Sequence, residues 1–235
     1  MSIAENVALI RERINAAAEA AGRSGGDIVL VAATKTNSTE RIREAIAAGI
    51  AVCGENRVQE LLEKKPLGAY DGAELHFIGH LQKNKVSKIV GEAALIQSVD
   101  SMELLCAIDR AAGQKGLVQE LLLEVNIAGE ASKSGFSPED IAEALREASK
   151  LSGIKVRGLM AVPPICASGE DNLPYFERMK QLFVDNSKKK YDNVVMDFLS
   201  MGMSGDYLTA IACGANMIRL GSAIFGPRVY PQKGN

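Results

Sequence analysis

A lysine closes the first strongly apolar run of this chain, and its position is where chemistry would begin. The run Ile28-Val29-Leu30-Val31-Ala32-Ala33-Thr34-Lys35 is rich in β-branched residues and too short for an ordinary helix. It reads as a buried strand that delivers one amine to its C-terminal edge. Such an amine either meets a carboxylate or, with its proton affinity lowered by burial, attacks a carbonyl. A plain surface lysine with its stem along the strand end is the competing reading. Further along stand Gly54-Glu55-Asn56-Arg57, Gly79-His80, the serine- and glycine-rich stretch Ser200-Met201-Gly202-Met203-Ser204-Gly205, and Arg219-Leu220-Gly221-Ser222. Glycines let a backbone approach an anion, and seryl hydroxyls donate to its oxygens. Arg219 keeps its charge and needs a partner, either a loop carboxylate such as Asp206 or a ligand's ring nitrogen or anion. Asn56 either contacts a ligand or caps the helix that follows it. His80 either faces a ligand or starts the next helix.

These groups need elements to position them. Eight short apolar runs, at 28–34, 51–53, 75–78, 94–99, 120–126, 155–162, 194–199 and 216–220, alternate with helix-like segments. Before the first run, Ser2-Ile3-Ala4-Glu5 forms a capping box. Ile3, Val7, Ile10 and Ile14 then make one apolar stripe, and Gly22 ends it, so 1–22 is an extra helix that could pack across one end of the domain. Later helices are expected to start on Thr39, on Ser137 ahead of Pro138, and on Ser204. Eight βα units favour a closed (β/α)₈ barrel over an open doubly wound sheet, since no G-x-G-x-x-G follows the first strand. We therefore expect one α/β barrel domain over 1–235.

In such a barrel the working residues stand at the C-terminal strand ends, and a phosphate is often held by the loops after strands seven and eight. Every group named above falls at one of those ends. A reactive lysine with a phosphate corner points to a phosphorylated carbonyl held as an imine. Pyridoxal phosphate fits, and so does a phosphosugar in an imine-forming aldolase.

Composition removes other classes. The chain has 235 residues, 47% hydrophobic, with a net charge of -2. There is no basic excess to favour nucleic acid or an anionic membrane, and no apolar stretch nears the ~18 residues of a membrane span. The N-terminus lacks the pattern of a signal peptide. Cys53, Cys106, Cys166 and Cys213 form no C-x-x-C pair, so neither a metal site nor a disulfide is expected, and free thiols suit the cytoplasm. No H-E-x-x-H or G-x-S-x-G occurs around the two histidines and the serines.

The strings Thr34-Lys35-Thr36, Gly54-Glu55-Asn56-Arg57-Val58-Gln59-Glu60, His76-Phe77-Ile78-Gly79-His80-Leu81-Gln82-Lys83-Asn84-Lys85, Gly158-Leu159-Met160, Leu199-Ser200-Met201-Gly202-Met203-Ser204-Gly205-Asp206 and Arg219-Leu220-Gly221-Ser222-Ala223-Ile224-Phe225-Gly226 carry a resemblance. Together they resemble the pyridoxal phosphate homeostasis protein family over nearly the whole chain. Ala51-Val52-Cys53 stands where an aromatic residue often precedes Gly-Glu-Asn, and Ser222 where threonine is common. The resemblance implies a barrel similar to the N-terminal domain of alanine racemase and of eukaryotic-type ornithine decarboxylase. It implies pyridoxal 5'-phosphate held as a Schiff base on Lys35, with the phosphate at Ser200, Gly221 and Ser222. Arg219 would lie beside the pyridine nitrogen, and Asn56, His80 and Met201 would join the cofactor-binding set. It implies a role in vitamin B6 and amino-acid homeostasis with no firmly assigned reaction; an amino-acid racemase of the same barrel type is the alternative. An arginine at the ring nitrogen disfavours protonating it, which weakens the ring as an electron sink. The chain also stops at Asn235, without room for the β-rich second domain of the racemases. We therefore expect a monomer that binds the aldehyde better than it turns it over, with apo forms of cofactor-dependent enzymes as recipients.

Overall fold

The apolar runs form eight parallel strands: β1 (Val29–Ala33), β2 (Val52–Glu55), β3 (Glu74–Phe77), β4 (Leu95–Val99), β5 (Gln119–Val125), β6 (Ile154–Ala161), β7 (Val194–Ser200) and β8 (Met217–Leu220). Each pairs with its neighbour, and β8 pairs back onto β1 (Val31 against Arg219), closing the barrel in sequence order. The computed structural model describes residues 1–130, 133–165 and 168–227. Between and around the strands lie α1 (Ile3–Ala20), α2 (Thr39–Ala47), α3 (Val58–Lys64), α4 (Val86–Ile89), α5 (Met102–Lys115), α6 (Ile141–Ala148), α7 (Leu173–Ser187), α8 (Tyr207–Ala212) and α9 (Ser222–Phe225).

Period-two alternation sorts the strand residues into two cores. Val31, Leu95, Leu122, Met160 and Met217 meet inside the barrel. Their neighbours Ala32, Ile96, Leu121, Leu123 and Ile218 face outward, into the layer shared with the helices. Counting two residues on from Leu95, Leu122 and Met217 puts Gln97, Glu124 and Arg219 on the inward face. These polar groups stand within an interior that is otherwise largely hydrocarbon.

The opening helix obeys its sequence signature. Ser2 and Glu5 form the capping box, and Ile3, Val7, Ile10 and Ile14 are buried. Its place differs from the expectation that it lies across one end. It packs against α8, α9 and α2, and Asn6 Nδ2 donates to the Ile224 carbonyl at 2.9 Å. The reason is that α9, the segment following β8, is only 4 residues long. Alone it would leave the seam between α8 and α2 uncovered, and the apolar stripe of α1 covers that seam.

Three helix starts shift from their expected positions. α2 is capped by Ser38 and not Thr39. α6 begins at Ile141, with Ser137 Oγ accepting the Asp140 N–H in a preceding turn. α8 begins at Tyr207 with Asp206 at its cap position, which leaves Ser204 free for another partner. Cys53, Cys106 and Cys213 are free thiols; Cys166 lies outside the described residues. Among the described residues no helix is long and apolar enough to cross a membrane.

Candidate functional site at the barrel mouth

Lys35 sits on a tight turn just past β1, partly buried. Thr36, the next residue, has φ of 64° and is the one non-glycine among the described residues in the left-handed region. A β-branched side chain there costs on the order of 1–3 kcal/mol, so the surroundings must hold the turn. They do so through a carboxylate: Glu60 Oε2 accepts the Thr36 N–H at 2.9 Å. The Lys35 carbonyl in turn accepts from Thr36 Oγ1 at 2.6 Å and from Asn37 Nδ2 at 3.2 Å. Glu60 is itself held by Lys64 Nζ at 2.6 Å, and the same ammonium donates to the fully buried Glu55 at 3.2 Å. Burial opposes the charge on Glu60, yet the bonds from Lys64 and Thr36 hold its carboxyl below the usual range. Tyr70 and Thr34 also bring hydroxyls to Glu55, at 3.2 and 3.1 Å. The amine of Lys35 therefore stands on a strained turn above a buried ionic cluster. Thr36→Gly removes the strain and one hydrogen bond and adds freedom to the unfolded chain. Stability should stay within about 1 kcal/mol because these terms oppose. Thermal unfolding checks this.

Across from Lys35, the loop after β8, backed by the loop after β7, forms the other wall of a cavity of about 270 Å³, lined by Lys35, Thr36, Arg41, Gly221, Ser222 and Phe225 among others. Ser204 Oγ accepts the backbone N–H groups of Gly221 and Ala223, both at 3.3 Å, and so ties the two loops together. Arg41 hydrogen-bonds the Phe225 carbonyl and lies 6.0 Å from the centroid of that ring. A Cβ at Gly221 would meet nothing closer than Ala33 at 3.6 Å. Packing therefore tolerates alanine there, and what the glycine leaves open is part of the cavity.

Deeper in the barrel lies Arg219, 5% exposed. Its Nη1 donates to Ser200 Oγ at 2.5 Å and its Nη2 to the Ala161 carbonyl at 2.9 Å. The partner considered from sequence, Asp206, is used elsewhere: it accepts from Asn172 Nδ2 at 2.8 Å and from the Met203 N–H at 2.6 Å. Burial lowers the guanidinium to about 10, with Glu124 and Asp206 opposing, so it stays charged at neutral pH.

A second cavity of about 280 Å³ takes in the ends of β2, β3, β5 and β6, with Asn56, His80, Glu124, Asn126, Lys133 and Met160 in its wall. Asn56 does not cap α3. Arg57 holds that position, and Glu55 Oε1 accepts the Asn56 and Arg57 N–H groups. Asn56 Oδ1 and Asn126 Oδ1 are buried without a hydrogen-bond partner among the described residues. Buried acceptors in this condition call for a donor from a ligand or water. His80 stands at the rim, its side chain 60% exposed, with Nδ1 3.1 Å from Asp100 Oδ2. Burial pushes Glu124 up to about 7, Arg219 pulling it down and Asp100 pushing it further up.

Residues 2–229 match the family model of the alanine racemase N-terminal domain. A pyridoxal phosphate homeostasis protein of Aquifex aeolicus is 41% identical over 230 residues, covering 98% of this chain and all of the relative. The chain belongs to the pyridoxal phosphate homeostasis protein family. Solved structures agree. PipY of Synechococcus elongatus PCC7942 superposes with a TM-score of 0.85 without pyridoxal phosphate, at 33% identity, and 0.82 with it bound, at 32%. In both cases 96% of this chain and 100% of PipY are covered.

Two residues that the family resemblance assigned to the cofactor, Ser200 and Met201, line neither of the two cavities. Ser200 is fully buried, with its hydroxyl committed to Arg219 and to Gln97 Oε1 at 2.7 Å. Its hydroxyl thus faces Arg219 inside the barrel, and Ser200 is not among the residues lining the Lys35 cavity. Met201 is fully buried in the outer apolar layer and leaves nothing exposed in the mouth. Lys35, Gly221 and Ser222 share one cavity, and Asn56 and His80 share the other. The sequence reading passed over Glu124, Asn126's buried acceptor, Arg41 and Gln97. Glu124 was within reach of it. Strand alternation from Leu122 places Glu124 inward, one step short of the strand end.

Proposed function

We propose that this protein binds pyridoxal 5'-phosphate reversibly at the barrel mouth, with Lys35 as its covalent anchor, and serves intracellular vitamin B6 and amino-acid homeostasis by holding and releasing the cofactor. The observation that carries this is one cavity walled on one side by the Lys35 turn and on the other by Gly221 and Ser222, with Ser204 bracing the loop. The residues fit the group. The glycine leaves room for an anion, Ser222 and Arg41 supply donors, and the unpartnered Asn56 Oδ1 awaits a hydroxyl or other donor. When bound, the cofactor supplies an aldehyde that condenses with amines and a conjugated ring that draws electrons. Arg219, as a fixed cation, presents N–H donors to whatever lies above it and disfavours a proton on a ring nitrogen there. A site that holds the aldehyde firmly and offers a poor electron sink suits a carrier. We place the protein in the cytoplasm, as a monomer, with apo cofactor-dependent enzymes as recipients.

Purified protein given the cofactor should be yellow, and Lys35→Ala should lose the visible band of the lysine-bound form. A wild type that carries no such band once free cofactor has been removed refutes the proposal. Gly221→Ala should fold normally, within about 0.5 kcal/mol of wild type. It should bind the cofactor more weakly because its methyl group occupies ligand space; absorbance titration reads this. One observation favours the racemase alternative: Glu124, poised near neutrality, stands in the mouth. A chiral assay of each L-amino acid with the loaded protein separates the two, since turnover above that of free cofactor belongs only to the racemase.

A further inference from the structure

A chain of buried hydrogen bonds crosses the barrel interior from Arg219 to the opposite end of the sheet. Arg219 Nη1 donates to Ser200 Oγ at 2.5 Å, and Ser200 Oγ to Gln97 Oε1 at 2.7 Å. Gln97 Nε2 lies 2.9 Å from His76 Nδ1, and His76 Nε2 lies 2.7 Å from Glu74 Oε1. The four links run through β8, β7, β4 and β3, and the Ser200–Gln97 link spans strands that are not neighbours. Ser200, Gln97 and His76 are at most 2% exposed. Glu74, the first residue of β3, is 57% exposed in its side chain. It lies at the N-terminal rim, opposite the mouth.

One proton order gives every donor in this chain an acceptor within it and leaves the serine hydroxyl no stray proton. A guanidinium only donates, so Ser200 Oγ accepts from Arg219 and keeps its single O–H for Gln97 Oε1. That orients the Gln97 amide, whose nitrogen must then donate to His76. His76 Nδ1 is therefore bare, and the neutral ring carries its proton on Nε2, where the Glu74 carboxylate accepts it. A cation at one end and an anion at the other make each intermediate group a donor in the same direction.

Two further facts give the chain a purpose beyond filling the barrel. Among the described residues no carboxylate forms an ion pair with Arg219, so its direct hydrogen bonds are those to Ser200 and Ala161. A barrel interior is also more simply filled with hydrocarbon, as the layer of Leu95, Leu122 and Met217 shows. We propose that Gln97 and His76 are positioning residues for Arg219. Acting through Ser200 and anchored on Glu74, they set the rotation of the guanidinium and so its presentation to a ligand in the mouth. The part of this proposal that concerns a ligand rests on the cofactor reading above; the proton order does not.

The test has one arm for each part. With only two histidines in the chain, ¹⁵N spectra of the cofactor-free protein are readily assigned. The expected result is a neutral His76 bearing its proton on Nε2. A proton on Nδ1 at neutral pH overturns the proposal. Gln97→Glu keeps an acceptor for Ser200 but turns an acceptor toward His76, so His76 should take a proton on Nδ1 as well; an unchanged spectrum overturns the relay. In the second arm, Gln97→Leu, which does not touch the mouth, should release bound pyridoxal phosphate on the order of 10-fold faster, as supporting partners behind a ligand do. Gln97→Glu should restore the release rate to near wild type. Should Gln97→Leu not fold, Ser200→Ala replaces it. A lowered melting temperature with unchanged release marks a purely structural network and refutes the positioning role. A colourless wild type refutes the cofactor reading and leaves the ¹⁵N arm to decide the relay.

Discussion

Lys64→Met should destabilise the protein by about 3–5 kcal/mol, the usual consequence of removing one partner from a buried ion pair. Lys64 is 13% exposed and its ammonium serves two carboxylates, Glu55 at 3.2 Å and Glu60 at 2.6 Å. Glu55 is fully buried, so without Lys64 its charge faces only dipoles: the hydroxyls of Tyr70 and Thr34 and two backbone N–H groups. These blunt the loss but do not replace a cation. The double variant Lys64→Met with Glu55→Gln removes the orphaned charge and should recover a large part of the stability. Denaturant midpoints of the single and double variants measure the coupling. The same change reaches the Lys35 turn. Glu60 keeps its exposed partner Arg57 at 3.3 Å but loses the closer Lys64, so its carboxylate is less firmly placed for the strained Thr36 N–H and the Lys35 turn loses definition. A Lys64→Met protein as stable as wild type would mean that the cluster is an open surface arrangement.

Glu124→Gln should raise stability at pH 8 by about 2–3 kcal/mol and change little at pH 4.5 and below. Burial lifts this carboxyl from an ordinary 4.5 to about 7. The folded protein thus binds a proton that the unfolded chain releases between those two values. Stability from this group is present in full below about 4.5 and is lost as pH rises through about 7. The figure sits below the full linkage value because water reaches part of the side chain. Glutamine keeps the shape and removes the titration, so the benefit should follow the pH profile of the carboxyl. Thermal unfolding between pH 4.5 and pH 8 reads it, and a stability gain independent of pH would assign the effect to packing. Tolerance of such a group at the mouth is the pattern of a site kept for function at the expense of stability.

The barrel, and the arrival of Lys35 at its mouth, were legible in the residues. Strand bodies are marked by apolar and β-branched runs, helix entries by serine caps and exits by glycine, and a lysine at the end of the first run needs no tertiary information to be noticed. Each of these is a local property, decided by backbone geometry within a few residues. Cap assignments at Ser38, Asp140 and Asp206 slipped by one to three positions. Several residues in a row can cap, and only the final backbone path selects one.

What the tertiary structure alone decided depends on contacts between strands far apart in the chain. Ser204 reads as a helix cap until the fold brings it to the Gly221 N–H, 17 residues on. Ser200 reads as a loop hydroxyl until the fold brings it to Arg219 and to Gln97, the latter 103 residues away. Glu124 owes its near-neutral titration to the burial that closure of the barrel imposes. Sequence by itself determined which residue types arrive at the C-terminal strand ends, because periodicity and turn chemistry are local. Closure determined which of them face one another. Burial and hydrogen-bond partnership, as at Ser204, Ser200 and Glu124, exist only once β8 meets β1.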